Sequence, residues 1–189
     1  ARRHRAKLVY DAHELYAERD SHPPLMCWEK SNWQRLERYL IQRCDKTITV
    51  NESIARELAD RYSVQKPWVI ANCPVRQAGP DPACSRRLRE ALPQSGNRPL
   101  ILYVGSFTRN RGLEQLIDSM KYLPDAFLVF MGFGPSEYVS ELNQRAEQIG
   151  VTDRMAFFGK VPSDEVTRYA SGADLGVSAI LNVCLNNYY

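Results

Sequence analysis

The chain has 189 residues, of which 44% are hydrophobic and 25% charged, and this balance excludes an intrinsically disordered protein. Its net charge of +3 falls short of the clustered basic excess that sequence-independent binding to nucleic acid needs, so no nucleic-acid partner is expected. Length alone leaves open whether the chain forms one ordinary domain or two small ones.

The cysteines and the apolar runs indicate in which cellular compartment the protein is expected. Five cysteines are scattered too widely to form a zinc pair or a redox CxxC motif, which indicates reduced thiols and a cytoplasmic protein. No apolar run approaches the roughly 20 residues that cross a bilayer. The basic run at residues 2–5 is interpreted as a solvated face, with a peripheral contact to anionic lipid as the alternative.

Up to residue 74, short strand-like runs alternate with helical patterns. Strands are predicted at residues 8–10, 47–50 and 68–70, and helices at residues 28–44 and 52–62. Apolar spacings of three and four predict that the first helix is amphipathic, with Glu37 among the charged residues on the other faces and an apolar face made of Trp33, Leu36, Leu40, Ile41 and Cys44. Asn51 is expected to cap the second helix.

Residues 75–98 differ in composition from the segments on either side. They are rich in glycine and proline, and only residues 85–92 carry a short, basic helical pattern. We interpret this segment as a linker between a domain at residues 1–74 and a second domain at residues 99–189.

Beyond the linker the pattern is regular. Strands are predicted at residues 100–104, 127–131, 155–158 and 175–177. Helices are predicted at residues 113–122, at residues 136–149 before Gly150, and from residue 163 with Asp164 and Glu165 in the first turn. Strands that alternate with helices predict an α/β fold with a parallel sheet.

Three of these strands run directly into a glycine, at Gly105, Gly132 and Gly159. The carboxyl ends of parallel strands share one edge of the sheet, where ligands bind. A glycine there either forms a tight turn or lets a ligand approach the backbone, and three on one edge favour a ligand crevice. Gly132 and Gly134 also precede a helix whose N-terminal amides could face a diphosphate.

Two arginines, Arg109 and Arg111, lie in the loop between a predicted strand and a predicted helix. A guanidinium makes paired, charge-assisted hydrogen bonds with phosphate oxygens, so both are candidates for binding a diphosphate. The alternative is that they are solvated loop residues.

His13 follows the first strand, where it could act as a base or bind a sugar hydroxyl, with Glu14 as a second candidate. The alternative is that His13 and Glu14 are polar residues that cover the end of the strand.

The chain contains no Asp-x-Asp motif, so neither a metal ion nor a cofactor is expected. Glu137 replaces the third glycine of the dinucleotide fingerprint, which disfavours a Rossmann oxidoreductase.

Several short motifs occur in a characteristic order. They are DAHE at residues 11–14, ITVN at 48–51, YVGSF at 103–107, RGLE at 111–114, MGFGP at 131–135, FFGKVP at 157–162 and ADLGV at 173–177. By the order and spacing of these motifs, the chain resembles the retaining glycosyltransferase family four over nearly its whole length.

The resemblance implies an α/β protein with two Rossmann-like parallel-sheet domains of the GT-B type, both incomplete in this chain. Residues 1–74 would be the C-terminal part of the acceptor-side domain, and residues 99–189 the N-terminal part of the donor-binding domain. The implied activity is retaining, metal-independent transfer of a hexose from a UDP- or GDP-type sugar to an unknown acceptor hydroxyl, in glycan or polysaccharide synthesis.

The resemblance also implies roles for individual residues. His13 maps to the acceptor side of the cleft as a catalytic residue, and Arg111 stands where the family usually has a phosphate-binding lysine. The segment around Phe158 and Val161 maps to backbone that often meets the nucleobase. Arg109 is added to this set because it lies in the same loop as Arg111. The predicted donor-binding residues are then Gly105, Arg109, Arg111, Gly132, Gly134, Phe158 and Val161.

Two other functions stay open from the sequence. One is a nucleotide-sugar epimerase or non-catalytic nucleotide-binding module of the same fold, and the other is the oxidoreductase that Glu137 disfavours. The family's acidic donor-site element would follow Tyr189, so we expect little or no transferase activity from these 189 residues alone.

Overall fold

The computed structural model of the chain describes residues 6–18, 26–73 and 86–187. These residues form two compact units. The first contains the described residues up to 73 together with residues 182–187, and the second contains residues 86–181.

Each unit is built on one parallel β-sheet, which confirms the predicted fold class. In the first unit, β1 (Val9–Ala12), β2 (Lys46–Thr49) and β3 (Trp68–Val69) lie in the order β1-β2-β3. The strands of the second unit are β4 (Leu100–Ser106), β5 (Phe127–Phe133), β6 (Met155–Gly159) and β7 (Leu175–Val177). They lie in the order β6-β5-β4-β7, and every pairing is parallel.

Helices connect the strands. The α-helices of the described residues are α1 (Cys27–Ile41), α2 (Glu52–Tyr62), α3 (Arg87–Glu90), α4 (Leu113–Ser119), α5 (Ser136–Ile149) and α6 (Val166–Ala170). Asn51 caps α2 as predicted, because its side chain accepts a 2.8 Å hydrogen bond from the amide of Ile54. Helix α5 also has the predicted limits and ends at Gly150, which adopts the left-handed conformation.

The second sheet is covered on both faces, as its continuous apolar strands require. Ile101 and Tyr103 of β4 face a cluster that includes side chains of α4 and α5. Leu100 and Leu102 alternate with them and face the opposite cluster, which contains Leu88 of α3. This alternation fixes the register of β4 and so determines where its carboxyl end lies.

Helix α1 exists where the sequence predicts it, but only part of its predicted apolar face is buried. Ile41 is 3% exposed and contributes to the core of the first unit. Trp33, Leu36 and Leu40 are between 37% and 45% exposed, whereas Glu37 is buried. The reason is a hydrogen-bond network: the Glu37 carboxylate accepts from the hydroxyls of Tyr10 and Tyr62, each at 2.6 Å. Burial, followed by the Glu37 carboxylate, raises the pKa of both tyrosines.

Three predicted boundaries differ in the structure. Strands β4 and β5 continue past Gly105 and Gly132, because the pairing of the two strands extends to Ser106 and Phe133. Helix α6 begins only at Val166, so the predicted first-turn position of Asp164 and Glu165 is wrong.

Part of the predicted linker lies outside the described residues, namely residues 75–85. Its remainder, residues 86–98, contains α3 and contributes the buried Leu88 and Leu92 to the core of the second unit. The limits of the two domains and of the linker therefore stay a prediction.

The predicted basic run at residues 2–5 also lies outside the described residues. Within the described ranges, no helix is long and apolar enough to cross a membrane.

We expect Glu37→Ala to lower the free energy of unfolding by about 2 kcal/mol or more. The substitution leaves two largely buried tyrosine hydroxyls without their acceptor, and each such group costs about 1–3 kcal/mol. Urea denaturation measures the change. The control is Asn32→Ala on the exposed side of the same helix, where a change within about 0.5 kcal/mol is expected. Equal effects of the two substitutions would contradict a structural role for the Glu37 network.

Candidate functional site

The three strand-end glycines lie together, as the sequence predicted. Gly105 pairs directly with Gly132 across β4 and β5, and Gly159 of β6 pairs with Met131. The carboxyl ends of these three strands therefore form one edge, which we call the glycine rim (Gly105, Gly132 and Gly159).

At two of these loops, the space next to the glycine is occupied by another part of the protein's own backbone. A Cβ atom on Gly132 would lie 1.8 Å from the carbonyl oxygen of Gly105, and one on Gly134 would lie 2.4 Å from that of Phe107. The amide of Phe107 also donates a 2.7 Å hydrogen bond to the carbonyl of Phe133. The chains that follow β4 and β5 thus pack backbone against backbone. Gly159 differs, because the space on its Cβ side is open.

Arg111 lies in the turn that follows the carboxyl end of β4, the strand that carries Gly105 of the glycine rim. A Cβ atom on Gly105 would lie 2.8 Å from the hydroxyl of Tyr103, and that hydroxyl donates a 2.9 Å hydrogen bond to the carbonyl of Ser106. Burial raises the pKa of Tyr103, and the positive charge of Arg111 opposes this shift. Arg111 is half-buried and makes no ion pair within the described ranges.

Arg109 is placed differently, although it is only two residues away. One of its guanidinium nitrogens, Nη2, donates to both carboxylate oxygens of Glu141 at 2.8 and 2.7 Å. The guanidinium carbon also lies 5.1 Å from the ring centroid of Tyr138, which is on the same helix, α5. The structure therefore separates the two arginines that the sequence treated as a pair.

The turn that carries both arginines, a single 3₁₀ turn at Arg109–Arg111, is held by the segment after β7. The amide of Leu181 donates a 3.0 Å hydrogen bond to the carbonyl of Asn110. Gly112 ends the turn with a φ of 68°, and a Cβ atom there would lie 2.1 Å from the carbonyl oxygen of Ala179. The sequence indicated neither contact, since Gly112 and Ala179 are 67 residues apart in the chain, and Asn110 and Leu181 are 71 residues apart.

The side chains of Phe158 and Val161 pack into the core beneath the sheet, where the Phe158 ring lies 5.3 Å from that of Tyr169. These two side chains are partly buried, which favours the backbone of Phe158 and Val161 over their side chains as a ligand contact. An exposed neighbour that the sequence analysis missed is Lys160, whose ammonium lies 5.0 Å from the ring centroid of the exposed Phe133.

His13 belongs to the first unit and follows the buried end of β1. Its Nε2 lies 3.1 Å from a carboxylate oxygen of Asp11, and both side chains are more than half exposed. Asn186 holds the loop just after it, accepting a hydrogen bond from the amide of Leu15 at 2.8 Å and donating one to its carbonyl at 3.0 Å. No sequence pattern singled out Asn186, because its partner is 171 residues away.

Comparison with known families decides what kind of protein this is. Residues 85–180 match the family model described as "Glycosyl transferases group 1", and residues 1–76 match "Glycosyltransferase Family 4". The chain belongs to the group 1 glycosyl transferases. The family predicted from the motif order is therefore confirmed.

Curated relatives of this group 1 glycosyl transferase are longer than the chain. It is 29% identical over 176 residues to the uncharacterized glycosyltransferase YqgM of Bacillus subtilis, covering 90% of this chain and 45% of that protein. It is 30% identical over 150 residues to the 2-deoxystreptamine glucosyltransferase of Streptomyces kanamyceticus, covering 74% of this chain and 38% of that protein. The chain thus spans less than half the length of these relatives.

Solved structures support the fold. The crystal structure of Anabaena HepE in complex with UDP matches with a TM-score of 0.72 at 20% identity, covering 93% of this chain and 47% of that chain. At this level of identity the likeness shows the fold alone. Together with the family, it establishes the Rossmann-like GT-B type that the sequence predicted.

We expect Gly132→Ala to destabilise the protein by about 3 kcal/mol or more, at the upper end of the cost of overpacking, because the new methyl group meets the Gly105 carbonyl. Chemical denaturation measures the change. The matched control is Gly176→Ala in β7, where nothing lies within 4 Å of the added atom. Alanine there is expected to be neutral or to stabilise by up to about 1 kcal/mol. A harmless Gly132→Ala would show that the contact between the two loops is dispensable.

Proposed function

We propose that the intact protein transfers a hexose from a nucleotide diphosphate sugar to an acceptor hydroxyl, with retention of anomeric configuration and without a metal ion. The observation that carries the proposal is Arg111, a half-buried cation in the turn that follows β4, with no ion-pair partner in the described part of the chain. A cation removed from water is stabilised by an opposite charge, and a bound diphosphate would supply that charge.

Arg111 would act on the leaving group. When the bond between the sugar and the diphosphate breaks, negative charge builds up on the departing phosphate oxygens. A guanidinium already fixed near those oxygens stabilises this charge more in the transition state than in the bound donor. The contacts of the Arg109–Arg111 turn with Ala179 and Leu181 favour such a fixed position.

The rest of the donor would lie along the same edge of the second unit, in the donor-binding domain proposed for residues 99–189. Gly105, Gly132 and Gly134 let the loops after β4 and β5 pack together and so form the floor beside the diphosphate. The backbone at Phe158 and Val161 is the proposed contact of the nucleobase. The family and the complex of HepE with UDP support a UDP- or GDP-type donor.

The first unit would hold the acceptor side, with residues 1–74 as its domain and residues 75–98 as the connection. His13, exposed at the end of β1 and held by Asp11, is the proposed catalytic residue there. We place the reaction in glycan or polysaccharide synthesis in the cytoplasm, with a peripheral membrane contact at the basic residues 2–5 as an added possibility.

We expect Arg111→Ala in the intact protein to weaken the binding of UDP or GDP by about 1.5–3 kcal/mol, the range for a hydrogen bond to a charged group. Isothermal titration calorimetry measures the affinity. The control is Arg86→Ala, an exposed arginine just before α3 and outside the loops of the rim, for which unchanged affinity is expected.

Two outcomes would count against the proposal. Unchanged nucleotide affinity in Arg111→Ala would remove this residue from the site. Interconversion of sugar epimers, or release of the free nucleotide without transfer to any acceptor, would favour an epimerase or a binding module instead. Product analysis of the intact protein with UDP- and GDP-sugars distinguishes these reactions.

A further inference from the structure

Helix α5 is joined to the Arg109–Arg111 turn and to α4 by a row of polar side chains. On α5 the row consists of Tyr138, Glu141 and Arg145, spaced so that they lie along one face of the helix. Their neighbours are Glu114 beside Tyr138, Arg109 beside Glu141, and Asp118 beside Arg145. The function described above uses none of these contacts.

The contact nearest the glycine rim fixes Arg109 from two directions. Glu141 accepts from its Nη2 at 2.8 and 2.7 Å, and the Tyr138 ring lies 5.1 Å from the guanidinium carbon. An ion pair that is half exposed contributes little by itself. The buried aromatic ring restricts the guanidinium further, so the two contacts together leave it little freedom.

Tyr138 has a second charged neighbour besides Arg109, namely Glu114. Its side chain is buried, and burial followed by the adjacent Glu114 carboxylate raises the pKa of its hydroxyl. The Tyr138 hydroxyl and Glu114 Oε2 are both buried, and neither has a hydrogen-bond partner within the described residues. Glu114 lies in the first turn of α4, the helix that follows the turn carrying Arg111. Tyr138 of α5 therefore interacts with Arg109 of the turn and with Glu114 of the helix after it.

The ion pair between Arg109 and Glu141 also gives the two arginines of the loop different charge environments. Glu141 neutralises Arg109, whereas Arg111 has no anion beside it in the described ranges. Of the two arginines of this turn, Arg111 is then the one whose charge is left unbalanced among the described residues.

We infer that Glu141 and Tyr138 are positioning residues for nucleotide binding: they hold Arg109, and with it the Arg109–Arg111 turn, so that Arg111 is directed at the diphosphate. This inference rests on the proposed function of Arg111. Neither Glu141 nor Tyr138 touches the nucleotide in this arrangement, and Arg109 acts through the backbone of the turn.

The experiment is a double-mutant cycle in the intact protein, with UDP and GDP affinity measured by calorimetry. Arg109→Ala and Glu141→Ala are each expected to weaken binding about two- to five-fold, the effect of a partly exposed ion pair. The double variant is expected to bind no more weakly than either single variant, because each single change already releases the turn. The charge-swapped variant Arg109→Glu with Glu141→Arg is expected to recover part of the affinity.

The ring and the hydroxyl of Tyr138 are tested separately. Tyr138→Phe keeps the ring under Arg109 and is expected to bind the nucleotide as the wild type does, whereas Tyr138→Leu removes the ring and should weaken binding. Thermal unfolding of each variant distinguishes this loss from general destabilisation, since the ion-pair variants should keep their unfolding midpoint while losing affinity.

Three results would overturn the inference. If Glu141→Ala binds as well as the wild type or more tightly while Arg109→Ala binds weakly, Arg109 contacts the diphosphate directly. If the losses are additive and the charge swap recovers nothing, the pair is not a unit. If no member of the cycle changes affinity, the turn needs no support. Arg111→Ala, measured in the same series, reports on the proposed function independently of all three.

Discussion

The second unit depends on the direct contact between the backbones that follow β4 and β5. Because Gly132 has no side chain, the carbonyl of Gly105 can occupy the space where a Cβ atom would be. The pairing of the two strands therefore continues beyond the core to the rim itself. Loops that hold each other in this way need no ligand to give them their shape, and such preorganisation is what binding a charged leaving group requires.

The two arginines of the loop show how environment, and not residue type, assigns a role. Arg109 and Arg111 lie in the same loop between a strand and a helix, and only Arg111 matches the family's phosphate-binding position. In the structure Arg109 faces a carboxylate and an aromatic ring on α5, whereas Arg111 makes no ion pair in the described part of the chain. A cation that is paired with a carboxylate of the protein has a structural role, whereas a cation without such a partner attracts an anionic ligand.

Local patterns predicted most of the fold. Helix α5, the Asn51 cap and the shared edge of the glycines follow from short-range rules, and the structure confirms them. Two features that the sequence did not predict come from contacts between distant segments. Glu37 is buried on α1 because two tyrosines from other elements bind it, and no periodicity within the helix could indicate that. The contact of Gly112 with Ala179 could not be predicted either, because it also joins segments that are distant in the sequence.

The short motifs of this chain are far apart in the sequence, but segments in or next to them meet in space. Phe107 of YVGSF meets Gly134 of MGFGP, and Gly112 of RGLE meets Ala179, which lies two residues after ADLGV. A substitution in one loop therefore acts on the loop it touches as well as on a ligand. Order and spacing carry the family's identity because they bring the right loops together, while the surrounding helices determine which side chains remain available for binding.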